Sequence, residues 1–306
     1  MANGSFYKVV EAGQAFLLSA YSKKKSERAV LAFAIASYLL HLLLIVLANQ
    51  GILVTESKFL SNPISAIYTP FSFILVYEVY LLLFYLPKST SFYIGKQYEI
   101  ITLIVIRRIF KDLGNLELYS NWFQNENDLQ FTFDVLTSLL LFFLIYLFYH
   151  KILRRPNQSQ WDDALPTHQQ TSRFVFLKKC IALLLVPVLI GLAAYSFINW
   201  ALLLFNDQAS GITALSNLNN IFFDEFFTIL IVVDVLILLA SFFYSDRFHT
   251  IIRNSGFVLS TILLKTSFSV SGILNNLLII GAVLFGLLVL LIHQQFEKAI
   301  TDNVQQ

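Results

Sequence analysis

Long apolar runs separated by short polar stretches fill the chain from Ala29 onward, and each run is about one bilayer crossing long. A helical span needs ~20 residues, fewer where flanking side chains reach the interface. Eight segments qualify: 29–54, 66–86, 92–110, 131–153, 174–205, 221–244, 249–268 and 277–296. The second is ended by Pro87, and the fifth is long enough to tilt or to bend near Pro187. The third is interrupted by Glu99, Arg107 and Arg108, and the seventh is short and partly polar, so a hydropathy window alone would pass over both. Ahead of the first span, Phe6, Val9, Val10, Phe16, Leu17 and Tyr21 recur at helical spacing and Lys23, Lys24 and Lys25 follow. This predicts an amphipathic helix over 5–22 lying in the membrane interface, closed by a basic stop.

Composition agrees with the pattern. The 306 residues are 57% hydrophobic and only 13% charged, against ~25% charged for a soluble domain. The fold class expected is therefore all-α, a polytopic membrane protein whose first partner is the lipid bilayer. A net charge of +2 gives no reason to expect a nucleic-acid partner. The lone Cys180 excludes an intrachain disulfide framework and a multi-cysteine metal site. No short apolar core with a small-residue cleavage site occurs in 1–28, so no cleavable signal is predicted there.

Charge orients the spans. With the N-terminus inside, only Lys58 and Lys111 of the 21 Lys and Arg residues fall in outer segments, and Arg107, Arg108 and Lys265 are embedded. That asymmetry follows the positive-inside rule and places both termini in the cytoplasm. The chain divides into an amphipathic segment (1–28), a first four-helix unit (29–153), an inner linker (154–173), a second four-helix unit (174–298) and a tail (299–306). The outer loop 113–130 is polar and acidic, with Tyr119 and Trp122 suited to the interface. Asn157-Gln-Ser159 matches a glycosylation triplet but falls on the inner side.

The two units look alike. Glu78 and Asp234 are separated by the same interval as Phe92 and Phe248; allowing one extra residue, Lys96 matches Arg253 and Arg108 matches Lys265. LIYLFYHK, ending at Lys151, resembles LLVLLIHQ, ending at Gln294, which pairs His150 with His293. Four helices per unit bring both units into the membrane from the same side, so the expected repeat is parallel, about an axis along the membrane normal.

Charges inside apolar runs are the candidate chemistry. Glu78 lies ~12 residues, hence ~18 Å, below the outer end of its helix, with Arg107 and Arg108 ~8 Å higher on the antiparallel neighbour. A Glu78–arginine pair is then within reach, and Asp234 with Lys265 invites the same argument. Unpaired, each such charge would cost ~2.5–3.5 kcal/mol. Two readings stand side by side: a proton or ion relay, or a buried pair that fixes helix register. Glu99 is expected to answer Lys96 or Arg28 at the inner boundary. His150 and His293 lie at inner helix ends, where the dipole favours a cation. A haem would need paired axial ligands at one depth, and His41 lies far deeper than His150. A retinal Schiff base on Lys265 is argued against by its counterpart Arg108. Asn219, Asn220, Asn275 and Asn276 are read as helix caps. No cofactor is expected, and without a nucleotide loop, zinc motif or nucleophile elbow the chain carries no positive sign of an enzyme.

Residues 77–112 resemble the PsiE family of phosphate-starvation-inducible inner-membrane proteins. Its small four-helix members carry an acidic residue in the second helix, an aromatic-Ile opening to the third, and a basic then an acidic residue near its end. Glu78, Tyr93-Ile94, Arg107 or Arg108, and Asp112 stand in those places. The second unit has Lys265 for the arginine and no acid after it. The resemblance implies a tandem of two such units in a bacterial inner membrane, and adds no defined chemistry. The expected function is a transporter or channel for an ion, proton or small solute, working through carboxylate–base pairs. The other reading is a non-catalytic membrane subunit that anchors or regulates a partner, as a homo-oligomer or beside another membrane protein. A voltage-sensor module would need several regularly spaced arginines, and each unit offers two at most.

Overall fold

The computed structural model describes residues 2–51, 66–113, 126–153, 169–205, 211–244 and 248–304. Lys58, Tyr119, Trp122, the Asn157 triplet and most of the inner linker lie outside them. Nine helices make up the described residues: α1 Ala2–Leu17, α2 Ala20–Asn49, α3 Tyr68–Tyr85, α4 Thr90–Leu113, α5 Glu126–Leu153, α6 Gln169–Phe205, α7 Gly211–Tyr244, α8 Phe248–Ser267 and α9 Ile273–Val304. Apart from the lipid itself, the reason is backbone chemistry: a helix satisfies its own N–H and C=O groups where water cannot.

Local residues set the boundaries. The Ser19 hydroxyl accepts the Ser22 N–H at 3.1 Å, a side-chain cap that starts α2. The helix expected over 5–22 is therefore two elements, and Lys23–Lys25 open α2 instead of stopping α1. Pro87 cannot continue α3, and the chain turns within Leu86–Ser89 into α4. Gly272, at φ +71°, makes the turn from α8 to α9 in a conformation that side chains other than glycine's resist. α7 begins ten residues ahead of its predicted start, and α9 continues through the expected tail to Val304.

Five helical stretches are long and apolar enough to cross a membrane: Tyr7–Asn49, Asp128–Leu153, Arg173–Leu192, Glu225–Phe243 and Ile273–Ala299; Thr69–Tyr85 is a shorter apolar helix. The chain is thus a multi-pass integral membrane protein. Its surface supports this, for apolar side chains point outward while polar ones are buried. Phe243 is 86% exposed and Leu139 67%, whereas Gln97, Asp134 and Thr261 are at 0%. Water would penalise that arrangement; lipid does not.

Within α2–α5 and within α6–α9, successive helices pack antiparallel. Lys23 meets Tyr85 and His41 meets Thr69 between α2 and α3, and Arg253 meets His293 and Ser260 meets the Ala282 carbonyl between α8 and α9. α5 lies parallel to α9, through Asp134–Asn276 and Lys151–Gln294, so their antiparallel neighbours α4 and α8 are parallel too, in contact through Gln97–Thr261 and Tyr98–Ser260. α1 runs along α6, with the Tyr7 ring stacked 4.0 Å from that of Phe176. The end holding the α1–α2 junction and the α3–α4 turn is called the basic end below. The opposite end holds Arg108 and Asp134.

Candidate functional site

α4 and α8 are the least apolar of the long helices, and their polar positions face protein. Starting from the basic end, a cavity of about 200 Å³ is lined by the α3–α4 turn (Lys88, Ser89, Thr90, Ser91), by Lys178 of α6 and by Arg253 of α8, with apolar walls from α5, α6 and α9. Lys178 is only 5% exposed. Its ammonium donates to the Thr90 hydroxyl at 3.0 Å and lies 4.9 Å from the Phe174 ring centroid. Lys178 also lines a second, smaller cavity of about 20 Å³ together with Tyr93, Asn254 and Asp234, enough for one water.

Asp234, from α7, is 5% exposed. Its carboxylate accepts the Tyr93 hydroxyl at 2.8 Å and the Gln97 amide at 3.1 Å, so α7 is bonded to α4. The seam continues across to α8: Thr261 donates to the Gln97 carbonyl oxygen at 2.7 Å, and the Tyr98 and Ser260 hydroxyls are 2.8 Å apart. Beyond them Ile101, Val105 and Leu264 close the interior with apolar side chains.

At the far end a second polar group closes the bundle. Arg108 forks onto Asp134 through Nε and Nη2, and its guanidinium also donates to Asn275 at 2.8 Å and to Asn276. Asp134 takes two further bonds, from Gln130 and Asn276, each at 2.7 Å. This latch joins α4, α5 and α9. Asn275 also donates to the Ser267 carbonyl, so its expected capping role survives for α8, while Asn276 binds a charge pair instead.

The predicted pairings need correction. Glu78 faces Lys96, 3.9 Å away, and neither arginine. Lys96 is bonded to Glu99, whose other oxygen accepts the Tyr149 hydroxyl. Depth counted from the outer helix ends misplaces these residues, because the α3–α4 turn is the origin the two helices share. Counted from Pro87, Glu78 is level with Lys96, and Arg108 stands twelve residues, ~18 Å, further along. Asp234 likewise meets Tyr93 and Gln97, and Lys265 lies one turn beyond Thr261 in the last turn of α8. Arg107 is buried at 3% exposure. Glu99 does answer Lys96, as expected. His293 contacts Arg253 at 3.1 Å and stacks on His249, whereas His150 stacks on Tyr146.

Sequence reasoning passed over Lys178, Gln97, Thr261 and Asp134. Asp134 had a signal: with Thr137, Ser138 and Leu141 it marks one buried helical face, and it lies about as far after the α4–α5 loop as Arg108 lies before it. Lys178 had none, being one of a run of basic residues before an apolar segment. No protein-family model, no curated protein and no solved structure matches the chain.

Proposed function

We propose that the protein is a transporter or channel for a small ion or solute, and that its path is the seam between α4 and α8. On this reading all eight helices α2–α9 cross the membrane. They form two parallel four-helix repeats, α2–α5 and α6–α9, which make the chain a tandem of PsiE-like units in a bacterial inner membrane with both termini inside. One contact supports the repeat. Lys151 and Gln294, the matching ends of the fourth helices, touch each other, as equivalent positions around a two-fold axis would.

The observation that carries the functional reading is Asp234. A carboxylate buried in the middle of a bundle is expensive and marks ion or proton paths by default. Here it lies next to a small cavity that shares Lys178 with the larger cavity at the basic end. Hydrogen-bonded groups continue from it to Ser260, and apolar side chains then close the way to the Arg108–Asp134 latch. That is the layout of a path open at one end and shut at the other, as alternating access requires. The Glu78–Lys96–Glu99 cluster flanks this path on α3 and α4.

The test is flux into proteoliposomes carrying wild type, Asp234→Asn or Glu78→Gln, read for protons, potassium, sodium, chloride, sulfate and phosphate. Flux that Asp234→Asn abolishes, in a protein that still elutes as wild type, is expected. No flux with any of these, together with loss of assembly in the variants, would favour the anchoring-subunit reading.

A further inference from the structure

The larger cavity has a definite chemical character. Its charged lining residues are Lys88, Lys178 and Arg253, its remaining polar ones are Ser89, Thr90 and Ser91, and no carboxylate is among the described lining residues. A water occupies ~10–15 Å³ on the same measure, so about 200 Å³ holds a small polyatomic ligand with waters to spare. Every polar side chain on the wall can donate a hydrogen bond.

Burial sharpens the argument. An ammonium is almost never fully buried unless paired, yet Lys178, at 5% exposure, has the neutral Thr90 hydroxyl as its hydrogen-bond partner. One of its three donors is used there. Asp234 acts on Lys178 through space, but its hydrogen bonds go to Tyr93 and Gln97 and none joins it to the ammonium. Arg253, which lines the cavity from α8, is held by Asn254 and His293. The first turn of α4 opens on the same space, and its dipole favours negative charge there. Donors converging on one space from a turn and two helices suit an acceptor with several oxygens better than a single spherical ion.

We propose that this cavity binds a small tetrahedral oxyanion, of the phosphate or sulfate type, between Lys178, Arg253 and the Ser89–Ser91 hydroxyls. The proposal names the substrate class for the path described above and rests on that reading only for movement; binding stands without it. The same chemistry could come from a free anion or from a phospholipid headgroup at the bundle end, and the test separates them.

Purified, delipidated protein in uncharged detergent is titrated with sulfate and with phosphate at ionic strength held constant with chloride, following heat release and thermal unfolding. Saturable binding that chloride does not reproduce is expected. Lys178→Met should weaken it at least about tenfold, as loss of a charge-assisted contact does. Because a buried substitution can impair folding, Lys88→Ala at the exposed rim provides a second variant and should weaken binding several-fold, while Lys151→Gln, at the same end but off the wall, should not. Native mass spectrometry of undelipidated protein provides the other arm. If inorganic anions fail but a phospholipid is retained by wild type and lost in Lys178→Met, the oxyanion is a headgroup. No saturable binding up to about 10 mM and no retained lipid would overturn the proposal, as would binding that Lys178→Met and Lys88→Ala leave unchanged. Because binding is read without flux, a failure here is distinct from a failure of transport.

Discussion

Removing Asp134 tests whether the far-end latch holds the bundle closed. The carboxylate is fully buried and accepts from Arg108 twice, from Gln130 and from Asn276. Interhelical hydrogen bonds in membrane proteins average ~0.6 kcal/mol, so four contacts give about 2.4 kcal/mol. A second route starts from the ~3–5 kcal/mol of breaking a buried ion pair from one side. The Arg108 side chain keeps 27% of its exposure, and screening trims that figure toward ~2–3 kcal/mol. Asp134→Leu should therefore destabilise the protein by about 2–3 kcal/mol. The assay is equilibrium unfolding in mixed detergent–SDS micelles, run as a double-mutant cycle with Arg108→Met. A coupling of ~1–2 kcal/mol between the two sites is expected. Coupling within ~0.3–0.5 kcal/mol of zero, the ordinary scatter of independent sites, would refute the reasoning and leave Arg108 as a surface charge.

Other outcomes follow from the same contacts. An added Cβ at Gly286 collides with the Tyr98 hydroxyl and comes within 3.2 Å of the Ser260 oxygen, so Gly286→Val should cost ~1–3 kcal/mol through overpacking, measured in the same micelles. Glu78 Oε2 has no hydrogen-bond partner among the described residues, so Glu78→Gln should change stability by under ~1 kcal/mol. Lys96→Met, which leaves Glu78 and Glu99 facing each other with the shared cation gone, should cost at least ~1 kcal/mol more; equal costs would contradict the geometry.

The sequence made the peripheral helices plain and the central ones ambiguous, for one physical reason. Lipid-facing surface must be apolar, so α2, α5, α6, α7 and α9 read as unbroken hydrophobic runs. α4 and α8 are shielded by their neighbours and can carry Gln97, Thr102, Ser260 and Thr261, all at 2% exposure or less, which lowers their hydropathy. Acids and bases inside the runs were visible one at a time, but their partners were not. Pairing depends on which turn fixes the level of two helices, and counting from the wrong end put Glu78 opposite an arginine instead of Lys96. The contact of Asp234 with Tyr93 and Gln97 joins α7 to α4, elements far apart in the chain, and no local pattern announces it. Lys178 belongs to the same class: a basic flank in sequence, a buried wall of a cavity in space.

Water access along the α4–α8 seam tests the central claim most directly. Cys180 is the sole native cysteine, so a Cys180→Ser background carrying Ser91→Cys or Thr102→Cys can be treated with a charged, membrane-impermeant thiol reagent from either side of proteoliposomes. The account predicts modification of Ser91→Cys, on the wall of the larger cavity, from the basic end alone, and none of Thr102→Cys from either side. Labelling of Thr102→Cys with Ser91→Cys inert would contradict it.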